Sequence, residues 1–334
     1  MAEGDMQSRP VVEVSVLVVV RNGLPYLDRC LSSLTAQQGV DFEVVLVDNA
    51  STDGTLRRVA RRFSGVRTVS SPVNLGYAGG INLGLEHARG RVVVGLNVDT
   101  EMAPGCLARL LSVLRDRPEA GVVTPLLVVD QHRDQVNAMG GAIHVTGLSF
   151  CNGLHRPRAE VPRAPFSVPG FSGACFMIRR DILERVGGAP DHCFMGNDDV
   201  VLSWWVRLLG QDILCVPDAV VFHRYGLTLE PDKLFLVERN RLDLLLSALR
   251  PTTLAGALPI VLAVESAILA YCGLRGRAHL AAKLAAYRAV WTWRQELLAR
   301  RKRIQAFRTV SDRAMLSHLR LVPELGQLIR LLRS

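Results

Sequence analysis

The chain predicts an α/β fold, a mainly parallel sheet flanked by helices, followed by an all-helical C-terminal extension. Three observations predict it. Apolar β-branched runs alternate with helical patterns through the first hundred residues, four of those runs end in polar clusters, and nearly everything after Asp232 reads as helix. In order, the pattern gives strand Val14 to Val20, helix Tyr26 to Gln37, strand Phe42 to Val47, helix Thr55 to Phe63, strand Val66 to Val69, helix Ala78 to Ala88 and strand Val92 to Leu96. Unbroken valine-rich runs are the mark of strands buried on both faces, because helices cover both sides of a parallel sheet. From Val122 to Phe166, short apolar pieces with many Gly and Pro predict added strands and a loop-rich wall. A helix from Asp181, an acidic turn at Asp198-Asp199, a helix to Leu209 and two strands, Ile213 to Val216 and Ala219 to Phe222, come next. Pro251, Gly256, Pro259, Gly273, Gly276 and Pro323 then punctuate roughly four helical segments. The chain thus divides into a unit at 11–230, with halves 11–100 and 101–230, and an extension at 231–334.

Composition narrows the classes. At 334 residues, 49% hydrophobic and 21% charged, the chain can bury a sizeable core, which excludes disorder. No stretch of about 18 residues is free of both charges and helix breakers, which excludes a multi-pass membrane protein. Residues 275–334 carry 14 Arg and Lys against Glu296, Asp312 and Glu324, an excess of +11, leaving the other 274 residues at −2 of the total +9. A near-neutral body with a basic arm points to an anionic partner for the arm alone. Seven scattered cysteines with no CxxC suggest neither a zinc site nor a disulfide framework. The polar segment MAEGDMQSRP leads into the short run Val11 to Val20, which reads as a buried strand and not a signal peptide, so a cytoplasmic location is expected.

In such sheets ligands sit at the carboxyl ends of the strands. Those ends are Arg21-Asn22-Gly23, Asp48-Asn49-Ala50-Ser51, Ser71 to Asn74, and Asn97-Val98-Asp99. Asp48, just past a buried strand, can accept from the imide N–H that a uracil or thymine base offers, while Asp53 or Thr52 caps the next helix. The alternative is that Asp48 and Ser51 only satisfy the turn. Small residues from Asn74 to Gly84 let a sugar or phosphate approach a helix start, although the spacing is not GxGxxG. Asp99, with an oxygen-bearing Asn97 two residues earlier, suits Mg²⁺ or Mn²⁺ holding a diphosphate, or else Asp99 caps a helix starting near Pro104. Asp198-Asp199, ahead of an apolar helix containing Trp204 and Trp205, offers a base for a sugar hydroxyl, or two helix caps. His223 is either structural or a second partner for the Asp99 metal.

Together these blocks resemble the family-two glycosyltransferases of the GT-A fold, especially the bacterial rhamnosyltransferase-like branch, over roughly residues 14–225. Val47 to Thr55 matches V-D-N-x-S-x-D-G-T, Asn74 to Gly84 matches N-x-G-x-x-G-G-x-N-x-G, and Leu96 to Asp99 matches L-N-P-D with Val98 for proline. Ser172-Gly173-Ala174, Val186 to Gly188, Asp198-Asp199-Val200-Val201 for E-D-x-D, and Val216, Pro217, Ala219 and His223 for V-P-x-A-x-x-x-H complete the order. The resemblance implies an inverting transfer with Asp199 as general base beside Asp198, and Asp99 and His223 holding Mg²⁺ or Mn²⁺. It also implies a nucleotide-sugar donor bound by Asp48, Asn49, Ser51, Asn74, Gly79, Gly80, Asn82 and Asn97. It favours dTDP-rhamnose or a UDP-sugar as donor, with a glycan or polyprenyl-linked envelope acceptor. Three departures stand out: Asn97 for an aspartate, Val201 for the last Asp of E-D-x-D, and Trp205 for an arginine, for which Arg207 offers a substitute. A catalytically inactive nucleotide-sugar-binding scaffold is the alternative, with Asn97 and Val201 in its favour.

The extension holds an apolar stretch, Thr252 to Leu274, broken only by Glu265, then basic residues interleaved with Trp291, Trp293 and Phe307. It reads as an interfacial platform whose Arg300-Arg301-Lys302-Arg303 meets anionic headgroups at the inner face of the cell membrane, or as a plain helical cap. Glu265 and the breakers disfavour a spanning helix, and no motif supports nucleic-acid binding.

Overall fold

The structure is a computed structural model, and it describes residues 12–226, 229–322, 324, 326 and 327. Val11, the polar segment before it, Pro323, Arg330 and Arg333 lie outside the described residues. The first half follows the expected alternation: β1 (Val14–Val20), α1 (Leu24–Thr35), β2 (Phe42–Asn49), α2 (Thr55–Arg62), β3 (Arg67–Ser71), α3 (Gly76–His87) and β4 (Val92–Asn97). β5 (Thr100–Met102), α4 (Cys106–Asp116), β6 (Ala120–Val129), β7 (Val136–Ala138), β8 (Gly141–Ile143), β9 (Ser149–Cys151) and β10 (Phe166–Ser167) follow. They lead to β11 (Cys175–Arg179), α5 (Arg180–Arg185), α6 (Asp198–Leu208) and β12 (Asp212–His223).

Ten strands form one sheet in the order β10-β12-β6-β11-β4-β1-β2-β3, with β5 on β12 and β7 on β6, while β8 and β9 pair separately. The β1, β2, β3 and β4 pairings and the β12–β6 pairing are parallel, and β11 runs antiparallel between β4 and β6. Register sets the site. Val20 lies opposite Asp48 and Val19 opposite Asn97, so the ends of β2 and β4 finish level with that of β1. Val14, Val16, Leu17 and Val18 are fully buried because helices cover both faces.

Two expectations are corrected. The two strands near Ile213 and Ala219 are one strand, β12, with a bulge between Val216 and Val220 that absorbs Pro217-Asp218. Asp198 and Asp199 are the first residues of α6 itself and not a turn before it.

The extension is α7 (Pro231–Ala248), α8 (Pro251–Arg275), α9 (Arg277–Thr292), α10 (Arg294–Phe307) and α11 (Asp312–Leu316). Gly256, Pro259 and Gly273 do not divide it, because α8 runs through all three. Arg241 and Glu238 of α7, Glu265 of α8 and Lys283 of α9 form a buried ion cluster, with Lys283 Nζ at 2.5 Å from Glu238 and 2.6 Å from Glu265. The basic tetrad is also corrected. Arg300 pairs with Asp243, Arg301 donates to the Leu246 and Leu249 carbonyls, and the Arg303 guanidinium lies 5.4 Å from the Trp205 ring. These three arginines fasten α10 to the body, and only Lys302 of the four is left without such a role among the described contacts.

Candidate active site

The loops after the parallel strands carry the site. Asp48 ends β2 with 3% exposure; its Oδ2 accepts from the Ser51 N–H at 3.4 Å, and its buried Oδ1 has no partner among the described residues. An unpartnered buried carboxylate oxygen is costly unless something donates to it, which is the role a base imide N–H fills. Ser51 Oγ accepts from the Asn22 N–H at 2.9 Å, and Asp53 Oδ1 caps the next helix at the Thr55 N–H. Asn22 and Ala50, in the loops after β1 and β2, have φ of 52° and 62°, as do Phe194 and Asn197 before α6 at 59° and 61°. Residues held in the left-handed region cluster where a fold positions functional loops.

Much of the glycine-rich segment is also engaged inside the fold. Asn49 Nδ2 donates to Asn74 Oδ1 and to the Gly76 carbonyl, and Asn49 Oδ1 accepts from the Leu75 N–H. Asn82 bonds the Ala189 carbonyl and N–H through its two amide atoms. Gly80 lets α3 sit on β1, since a Cβ there would lie 2.5 Å from Val19 Cγ1. Gly79 is half-buried, and a Cβ there would press on Leu75 at 2.9 Å. Gly76, at φ +73°, lets the Phe194 carbonyl come so close that a Cβ would lie 2.1 Å from it.

The start of α3 grips the loops that carry the acidic pair. The Tyr77 N–H donates to the Phe194 carbonyl and its phenol to the Gly173 carbonyl, each at 2.8 Å. Asp199 accepts from the Gly173 and Val200 N–H groups at 2.9 Å each. Burial pushes the Tyr77 phenol up, and the negative charges of Asp198, Asp199 and Asp99 push it further. Burial also raises Asp198 and Asp199, and the neighbouring Asp199 charge helps carry Asp198 to about 7.

Asp99 lies in the turn between β4 and β5 and does not cap α4, which starts at Cys106 after Gly105. Its Oδ2 is 3.6 Å from His223 Nε2, at the end of β12. His223 Nδ1 sits 2.8 Å from Asn137 Oδ1. With Nδ1–H as the donor, Nε2 presents its lone pair toward Asp99. Two ligands of one Mg²⁺ or Mn²⁺ with bonds of ~2.1 Å at right angles stand about 3 Å apart, so the pair fits a shared divalent ion. Among the described residues no third His, Cys, Asp or Glu joins them. Asn97, at the end of β4, is half-buried beside this pair.

Sequence reasoning missed Asn137, Tyr77 and Arg224. A lone Asn in an irregular stretch carries no signal; Tyr77 stood inside a motif but had no assigned role. Arg224 donates its N–H to the Asp99 carbonyl and stacks its guanidinium 5.5 Å from the Tyr26 ring. Val201 and Trp205 are buried in the core, so neither reaches the site. Arg207 does not substitute for the missing arginine, because it is 2% exposed and bonded to Asp212, Ser167 and the Val168 carbonyl. Asn137→Ala should weaken Mn²⁺ affinity about 10–100-fold in a titration with nucleotide present; an unchanged affinity would remove Asn137 from this role.

A family model described as glycosyl transferase family 2 matches residues 15–187, just over half of the chain. The N-acetylglucosaminyl-diphospho-decaprenol L-rhamnosyltransferase of Mycobacterium tuberculosis is 28% identical over 231 residues, covering 62% of this chain and 75% of its own. The mannosyltransferase PcManGT from Pyrobaculum calidifontis, solved with GDP-Man and Mn²⁺, has a TM-score of 0.54 at 23% identity over 89% of this chain and 86% of its own. GalNAc-T7, solved with UDP, GalNAc and Mn²⁺, has a TM-score of 0.60 at 20% identity over 72% of this chain and 49% of that one, so this chain spans about half its length. These structural likenesses establish the GT-A fold. The chain belongs to glycosyltransferase family 2, as a nucleotide-sugar transferase homologous to a mycobacterial rhamnosyltransferase.

Proposed function

We propose that the protein is an inverting glycosyltransferase that moves a sugar from a nucleotide diphosphate to a hydroxyl of a polyprenyl-linked or other envelope glycan. The observation that carries this reading is the Asp99–His223 pair at the ends of β4 and β12, together with Asp199 held by the Gly173 and Val200 N–H groups at the start of α6. Asp48 accepts from the pyrimidine imide, and Asp99 and His223 are the residues that hold Mg²⁺ or Mn²⁺. When bound, that ion neutralises the charge of the departing diphosphate. Asp199, fixed by the Gly173 and Val200 N–H groups, takes the acceptor hydroxyl proton as the oxygen attacks the anomeric carbon opposite the leaving group. One displacement with no covalent sugar–enzyme bond inverts the anomeric centre.

The relative named above acts, by its name, with rhamnose on a decaprenol-linked sugar; that name supports dTDP-rhamnose as donor ahead of a UDP-sugar, with the reaction proposed at the inner face of the cell membrane and the helical extension as the contact. Transfer of labelled rhamnose from dTDP-rhamnose to a polyprenyl-diphosphate-linked N-acetylglucosamine, with the product linkage read by NMR, tests this. An inverted rhamnoside supports it, and a retained configuration contradicts it. Asn97, in place of the first aspartate of the D-x-D form of the motif, favours the inactive scaffold as the second reading; nucleotide binding without transfer from any pyrimidine donor would select it.

The base works only when ionised, so turnover falls as pH drops through the raised pKa of the acidic pair. The acid limb of the kcat profile is expected above the ordinary carboxylate range of ~4. Asp198→Asn should leave that limb in place, because burial raises Asp199; a limb that moves to lower pH would show that Asp198 carries it.

A further inference from the structure

Helix α8 is long and apolar enough to cross a membrane by length and composition, yet only 11% of its most apolar stretch is buried. Cys272 is its one buried residue, and Leu258, Leu262 and Leu274 are 49%, 55% and 85% exposed. A core helix would be covered on most sides, and this one leaves its outer face open. Its single charge between Pro251 and Leu274 is Glu265, which is turned inward onto Arg241, Lys283 and the Tyr287 phenol. Glu265 is also the only acidic residue from Arg250 to Gln295, whereas Arg250, Arg275, Arg277 and Arg288 are all exposed. The exposed charges that flank the open apolar face along the chain, from Arg250 to Arg288, are thus cations.

Connectivity decides how such a helix meets a bilayer. The element before α8 and the two after it belong to one body: Lys283 of α9 binds Glu238 of α7, and Arg300 of α10 binds Asp243 of α7. If the 25-residue α8 spanned the ~30 Å hydrocarbon core, its ends would lie on opposite sides. That would pull α9 from α7 and break the buried Lys283–Glu238 pair that joins them. We infer that the chain attaches to a single leaflet of an anionic phospholipid bilayer through the outer face of α8, which lies in the membrane plane without crossing it, its flanking arginines among the headgroups. The inference deepens the lipid-linked acceptor reading and rests on it for its purpose, since an in-plane anchor holds the site beside a substrate confined to the same leaflet. It replaces the basic tetrad as the contact and makes attachment mainly apolar.

Full-length protein should float with phosphatidylglycerol-containing vesicles and stay bound through a high-salt wash. Leu258→Glu/Leu262→Glu should weaken partitioning more than about tenfold, because two buried leucines are lost from the lipid. The same variant should keep the melting shift given by nucleotide with Mn²⁺, which separates failure of the anchor from failure of the donor site. Lys302→Glu should leave partitioning unchanged; a large loss would return the contact to α10. Cysteines placed by Arg250→Cys and Arg275→Cys should both react with an impermeant maleimide from the same side of sealed vesicles, measured against the parent chain. One end reacting only after the vesicles are opened would mean that α8 spans. Protein that ignores vesicles and is a stable dimer in buffer would mean that a second copy covers α8, and either result overturns the inference.

Discussion

Replacing Asp199 by Asn is expected to lower kcat about 10²–10⁴-fold, the usual contribution of a positioned general base, while nucleotide affinity stays within about threefold (a threefold change being well under 1.4 kcal/mol). The Asn carbonyl can still accept from Gly173, which holds Asp199 Oδ2 at 2.9 Å, so the loop keeps its place. Only the bond to the Val200 N–H is lost, one of the first-turn N–H groups of α6 that have no intrahelical acceptor. The loss should therefore appear in turnover and not in folding. Single-turnover transfer together with nucleotide titration checks both halves. A variant that turns over within tenfold of wild type would move the base elsewhere, Asp198 being the nearest carboxylate.

The largest stability effect is expected at Arg241. Its side chain is fully buried and pairs with both Glu238 and Glu265, and Arg241→Ala leaves two buried carboxylates to share Lys283. Breaking one member of a buried ionic cluster costs about 3–5 kcal/mol, a fall in melting temperature on the order of 10 °C for a chain of this size. Replacing all four charges by apolar residues of similar volume should cost much less, because no uncompensated charge remains. The pH dependence follows. Burial opposes the Glu265 charge, but Arg241 and Lys283 outweigh it and hold the carboxyl at about 2. A depressed carboxyl stabilises the fold fully above its unfolded pKa of ~4.3 and loses that contribution as pH falls toward the folded value. Wild type should thus lose stability between these limits, and Arg241→Ala should lose less over the same range. Equal acid sensitivity of the two proteins would contradict this assignment.

The parallel half was legible because its signal is strong: valine runs buried on both faces, each closed by a polar cluster. β1 and β4 fall within a residue of where the hydropathy pattern puts them. Asp99, His223 and Asp48 could be picked out as candidates for the same reason, since each stands at or just past the end of a recognisable run. Orientation was not legible. Asn49, Asn82 and Arg207 are polar residues in the right neighbourhood whose hydrogen bonds are spent inside the protein. The basic tetrad looks like a solvated patch in sequence, but Asp243 and the carbonyls at the end of α7 take up Arg300 and Arg301, while Arg303 stays exposed beside the Trp205 ring. Pro259 and two glycines read as breaks in α8, whereas a proline removes only one hydrogen bond from a helix long enough to carry the loss. Asn137 became visible only once β7 was seen to bring it beside the end of β12.

The central claim is a metal-dependent nucleotide-sugar site built from strand ends, and thermal shifts test it most directly. The melting temperature of wild type and of Asp99→Ala would be measured with dTDP, UDP and GDP, each with and without Mn²⁺ or Mg²⁺. The site described here requires a rise for a pyrimidine nucleotide that depends on the metal and is lost in Asp99→Ala. No rise with any nucleotide, or one that persists without metal and without Asp99, would contradict it.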